Sequence, residues 1–156
     1  MGSWLRAMLT RDAEARKRLS PQLNGGKLGF NRDEAGVVQA ACELAVRQLW
    51  GAEYAISEIA DAVTFMREAN PPEARVRYPQ QIMEAVILAA LGELPTDQVV
   101  GDYLPRPLVF EVQLVVTGYV GGKLRWPYPT VDRLITDAER ISRKRGWNPP
   151  LMTGQT

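Results

Sequence analysis

The chain has 156 residues, a formal net charge of +1, and contents of 46% apolar and 24% charged residues. A chain of this length can bury roughly two-thirds of its unfolded surface in one domain without disulfides. The composition is too polar for a membrane protein, and no stretch approaches the ~18 uninterrupted apolar residues of a membrane span. The near-neutral charge gives no global attraction to nucleic acid or anionic lipid, so such binding would need a local patch.

Residues 1–29 are predicted to form a basic N-terminal arm and linker. Within it, Trp4, Leu5, Met8 and Leu9 share one side of an amphipathic pattern, which favours a helix or an ordered arm. Residues 1–3 resemble an expression remnant and are left out of the fold prediction. Residues 20–29 are dense in Ser, Pro, Asn and Gly, which is typical of a loop.

Residues 30–148 are predicted to form a single helical domain, organised around a helical hairpin at 33–69. Two amphipathic helices joined at Gly51 are expected to pack antiparallel, because so short a connection makes them neighbours. Apolar residues recur at spacings of three and four in both halves: Val38, Ala41, Cys42, Ala45 and Leu49, then Ile56, Ile59, Ala60, Val63 and Met66. The fold class is therefore all-α, a compact bundle of about five helices.

The second half of the chain contains one ambiguous stretch. A helix is expected over 79–91 and another from an N-cap at Thr130 to Gly146, with a loop between 94 and 107 and a flexible tail at 149–156. Residues 108–120 fit both a strand and a helix. We favour a helix ended by Gly121 and Gly122, because no second strand pattern exists to pair with a lone strand.

Catalytic chemistry finds little support in the residue types. Histidine is absent and Cys42 is the only cysteine, which excludes Ser-His and Cys-His catalysis, zinc clusters of His and Cys, and an intramolecular disulfide. Cys42 lies on an apolar helix face, so we expect a buried small hydrophobe. Carboxylate pairs such as Glu58 and Asp61 are interpreted as solvated helix faces. No cofactor or metal site is predicted, since the glycine-rich loops lack phosphate-binding spacing.

By elimination, we expect a non-catalytic protein-protein interaction module, such as an adaptor or accessory subunit, with a protein partner or self-association. The lone cysteine and the absence of an apolar signal-peptide core at the N-terminus favour the cytoplasm. Cations, aromatics and prolines meet in the loop KLRWPYPT, where Trp126 could be a contact residue or a lid over the core. The candidate interaction surface consists of Lys123, Arg125, Trp126 and Tyr128.

Two alternatives from other classes stay open. One is a nucleic-acid-associated regulator that uses the basic helix ends Arg16, Lys17, Arg18, Arg140, Arg143, Lys144 and Arg145. Basic residues at a helix C-terminus are also expected from the helix dipole alone. A helix-turn-helix within 33–69 is disfavoured because its second helix would turn Glu53, Glu58 and Asp61 toward phosphates. The other alternative is an enzyme with a carboxylate-based site.

Overall fold

The computed structural model describes residues 1–27, 31–73, 78–94 and 106–147. Within these ranges the chain forms helices and no strand, which confirms the prediction of an all-α bundle. Seven α-helices and one 3-10 segment follow in the order α1 (Gly2–Leu9), α2 (Ala13–Leu19), the 3-10 segment Ser20–Gly26, α3 (Arg32–Trp50), α4 (Ile56–Glu68), α5 (Gln80–Leu91), α6 (Arg106–Lys123) and α7 (Tyr128–Lys144).

The ambiguous stretch 108–120 lies inside α6, so the helical alternative is confirmed. Val109, Val112, Val116 and Val120 are all buried, and their spacing of three or four residues is the period of a helix. The helix also continues through the two glycines that were expected to end it and stops at Lys123. Tertiary packing of the valine row outweighs the weak helix preference of glycine.

The third helix runs through the middle of the bundle. It starts with a capping box: the Glu34 N–H donates to Asn31 Oδ1 at 2.9 Å, and the Asn31 N–H donates to Glu34 Oε2 at 3.0 Å. It then buries residues around most of its circumference, including the adjacent pairs Val37–Val38 and Ala40–Ala41. Such a helix needs neighbours on several sides.

The packing of α3 and α4 differs from the predicted hairpin at 33–69. The two helices are consecutive, but α3 packs most extensively against α7 and α6, and α4 packs chiefly against α5. An antiparallel α3–α4 pair is therefore not the packing unit of the bundle. One neighbour could not cover the broad apolar surface of α3, so helices distant in sequence cover it instead.

The core has two clusters, and α3 contributes to both. The first contains the C-terminal half of α3 together with α4, α5 and α6, and the second joins the N-terminal half of α3 to α1 and α7. Leu5 of α1 is fully buried in the second cluster, and Met1 and Gly2 are buried as well. The segment predicted as an arm thus contributes its first helix to the bundle. The predicted tail at 149–156 lies outside the described residues.

Candidate protein-contact surface

Trp126 packs onto the bundle, although the loop around it was predicted as a contact surface. A Cβ built on Gly121 would lie 2.8 Å from Cε3 of the indole, so the ring covers the glycine directly. The backbone N–H of Trp126 donates to the Gly121 carbonyl oxygen at 3.0 Å, which holds the loop against the end of α6. The side chain touches both core clusters. Its position is that of a lid.

The other three residues of that predicted surface are exposed. Lys123 and Arg125 point to solvent, and Tyr128 is 62% exposed at the start of α7. The Arg6 guanidinium lies 5.6 Å from the centre of the Tyr128 ring, and Arg6 Nε donates to Asp132 Oδ1 at 2.5 Å. That hydrogen bond raises the pKa of Arg6. These contacts join α1 to the beginning of α7.

The predicted basic patch is divided between two elements. Arg16, Lys17 and Arg18 are exposed on α2, which packs against α1 and the 3-10 segment. At the end of α7, Arg145 donates to both carboxylate oxygens of Glu43 at 3.1 and 2.7 Å, a hydrogen-bonded pair that raises the pKa of Arg145.

Two cations of that patch are therefore already engaged within the chain, since Arg140 also pairs with Asp137 at 2.7 Å. Arg143 and Lys144 are exposed beside them. The Arg145–Glu43 pair fastens α7 to α3, so at least this part of the basic end has a structural role.

An aromatic series that the sequence reasoning missed runs from the core to the surface. Trp50 is buried, and its ring stacks on Tyr119 with centroids 6.4 Å apart and an interplanar angle of 14°. Tyr119 in turn contacts Phe65 of α4 at 5.8 Å and 53°. Phe65 is 60% exposed. The core thus continues through Tyr119 into an aromatic side chain that faces solvent.

The sequence carried a signal for Phe65. The apolar face of α4 is formed by Ile59, Ala62, Val63 and Met66, and Phe65 lies outside that stripe. On the same side of the helix, one turn earlier, stands the exposed carboxylate of Asp61. A phenylalanine on the polar face of an amphipathic helix has no core position to fill, which marks it as a contact candidate.

The solvent side of α6 next to this series carries no charge between Val112 and Gly122. Residues 112–122 contain no acidic or basic residue. Gly118 and Gly122 are exposed one turn apart, and a Cβ built on either would meet no heavy atom within 4 Å. Together these elements form what we call the α4–α6 face, made of Asp61, Phe65, Val115, Gly118, Tyr119, Gly122 and Lys123.

Charge is distributed unevenly along the chain, which the net value of +1 conceals. Residues 51–94 contain seven carboxylates and three cations, Arg67, Arg75 and Arg77. The other residues contain sixteen cations and eleven carboxylates. The α4–α6 face lies where α4 of the acidic part meets α6 of the basic part. Charge counted by segment would have revealed this polarity from the sequence.

Two carboxylates on helices are buried rather than solvated. Glu34 is 3% exposed and closes the capping box of α3, while Glu139 of α7 is fully buried. A Cβ built on Gly2 would lie 2.2 Å from Glu139 Oε1, so the carboxylate fills the space beside the first residue of α1. Burial lowers the pKa of the Met1 amino group, and the two carboxylates oppose that shift. This arrangement holds α1 in place.

Cys42 is buried, and its desolvation raises the pKa of the thiol to about 12. Among the described residues, no three His, Cys, Asp or Glu side chains stand close enough together to hold a metal ion. No helix in the described part of the chain is long and apolar enough to cross a membrane. No protein-family model, curated protein or solved structure matches this chain.

Proposed function

We propose that this chain is a non-catalytic, cytoplasmic protein-interaction domain that binds its partner through the α4–α6 face. The observation that carries the proposal is the exposure of Phe65 in contact with Tyr119, a partly buried ring that packs against the core. Aromatic residues are enriched in protein interfaces, whereas an aromatic side chain on the polar side of a helix adds little to the stability of the monomer.

The packing of Phe65 also favours binding energetically. Its contact with Tyr119, which is itself stacked on Trp50, restricts the ring before any partner arrives. Immobilising a flexible side chain at an interface costs ~0.5–1.5 kcal/mol, so an aromatic ring that is already restrained contributes more of its buried area to affinity. Asp61 and Lys123 supply charge at the edge of this area, where charge steers the partner into register.

The test compares two exposed, large apolar side chains on one helix. Phe65 and Ile56 are similarly exposed, at 60% and 63%, but Ile56 lies on the other side of α4 and outside the α4–α6 face. Tagged protein carrying Phe65→Ser or Ile56→Ser is recovered from its native cells with and without nuclease. We expect a nuclease-resistant partner that is retained by wild type and Ile56→Ser and lost with Phe65→Ser.

Two results would argue against the proposal. Recovery of the same proteins with both variants would show that the α4–α6 face does not bind the partner. Loss of every companion after nuclease treatment would instead favour the nucleic-acid-associated regulator, with the exposed cations Arg16, Lys17 and Arg18 of α2 as the first positions to substitute.

A further inference from the structure

We infer that the occupant of the α4–α6 face is a second copy of this chain, related to the first by a two-fold axis. This inference rests on the proposed function and names the partner. In a two-fold interface the same surface is used by both copies, so residue i of one contacts residue j of the other and the reverse. A surface suited to such pairing must therefore carry both members of each complementary contact.

The shape of the α4–α6 face meets this condition. Phe65 projects from α4, and the neighbouring solvent side of α6 offers the open positions Gly118 and Gly122. A protruding ring and a strip without side chains thus occur on one face. Under a two-fold axis, Phe65 of each copy covers the glycines of the other, where two helices can approach to the ~8–10 Å of ordinary helix packing.

The charges of the face meet the same condition. Asp61 lies one turn before Phe65 on α4, and Lys123 lies one turn after Tyr119 on α6. Neither makes an ion pair with another described residue. A partner of one sign would complement only half of this face, whereas a second copy brings a lysine to the aspartate and an aspartate to the lysine.

Sedimentation equilibrium of the purified full chain tests the inference, with four proteins at two salt concentrations. Wild type and Ile56→Ser are expected to form dimers that weaken as NaCl rises, because salt screens exposed charge pairs. Phe65→Ser should raise the dimer dissociation constant at least about tenfold. Gly118→Gln should do the same by filling the open strip, and it should also raise the thermal midpoint of the monomer, since glutamine is the better helix former.

The rise in the thermal midpoint of Gly118→Gln distinguishes a variant that is folded but cannot associate from one that is misfolded. A charge exchange then tests the two-fold pairing. Asp61→Lys and Lys123→Glu should each weaken the homodimer, whereas an equimolar mixture of the two variants should form heterodimers with a dissociation constant close to that of the wild-type dimer. A wild-type chain that stays monomeric, or a mixture that stays monomeric, overturns the inference. If the chain is monomeric but Phe65→Ser still loses a cellular partner, the proposed function stands and only the second copy is excluded.

Discussion

The indole of Trp147 lies directly on the backbone of Gly36, so closely that a Cβ built on this glycine would sit 2.1 Å from Cε3 of the ring. Trp147 follows the end of α7, and Gly36 is in the second turn of α3. Two residues earlier, Arg145 makes its paired hydrogen bonds to Glu43 of the same helix. The end of α7 is thus fixed to α3 by one ring and one ion pair.

We expect Gly36→Ala to lower the free energy of unfolding by about 1–3 kcal/mol, the usual cost of adding a group to a filled site. Gly118→Ala provides the matched control, because its Cβ meets open space within an exposed helix position. That change should raise the free energy of unfolding by about 0.5–1 kcal/mol. Urea denaturation at low protein concentration measures both. Stabilisation by both substitutions would show that Trp147 does not occupy this site in solution.

Trp126→Ala is expected to lower the free energy of unfolding by about 2–3 kcal/mol, somewhat less than for a fully buried tryptophan, because the ring covers Gly121 and touches both core clusters. Tyr128→Ala, at an exposed position two residues later, should change stability by less than about 1 kcal/mol. Thermal and urea unfolding of the two variants make the comparison. Equal stability of wild type and Trp126→Ala would show that Trp126 does not cover the core and would favour its alternative role as a contact residue.

The burial of Cys42 predicts a loss of stability at high pH. The thiol ionises near 9.0 when unfolded, but its pKa is raised to about 12 in the folded state. The contribution of the buried, protonated thiol to the free energy of unfolding is therefore fully present below pH ~9. It declines by about 1.4 kcal/mol per pH unit as pH rises toward 12, because in this range only the unfolded chain readily loses the proton.

Urea unfolding between pH 8 and 11 measures this decline, and Cys42→Ala separates it from the titration of tyrosines and lysines. The difference in stability between wild type and variant should shrink with increasing pH. A thiol reagent gives an independent reading, since modification of the native protein should be far slower than that of the urea-unfolded chain. Rapid native modification, or parallel pH curves, would contradict the assigned burial.

Glu139→Ala should loosen α1, because it removes the buried carboxylate that fills the space beside Gly2. Removing one member of a buried polar cluster costs on the order of 3 kcal/mol. Hydrogen exchange at the amides of Leu5 and Ala7 reports this locally. Asp137→Ala on the same helix breaks only the exposed pair with Arg140, so it should cost under ~1 kcal/mol and leave those amides protected. If the amides of Leu5 and Ala7 are equally protected in both variants, Glu139 does not hold α1 in place.

Local patterns in the sequence determined the helices themselves. The period of Ile59, Val63 and Met66, the Asn31–Glu34 capping box and Gly92 at the end of α5 each act within a few residues, so they can be recognised without knowing the fold. The same reasoning placed Cys42 in the core. For residues 108–120, the lack of any partner strand decided correctly between two fitting periods.

Only the tertiary structure decided which helices pack together and which side chains are exposed. The sequence paired α3 with α4 because they are adjacent, whereas α3 is covered mainly by α6 and α7, since burial rewards total apolar contact regardless of separation along the chain. For the same reason Glu139 is buried beside Gly2, and Trp126 becomes a lid. Phe65 was visible as an aromatic residue on a polar face, but only its contact with Tyr119 shows that it extends the core to the surface.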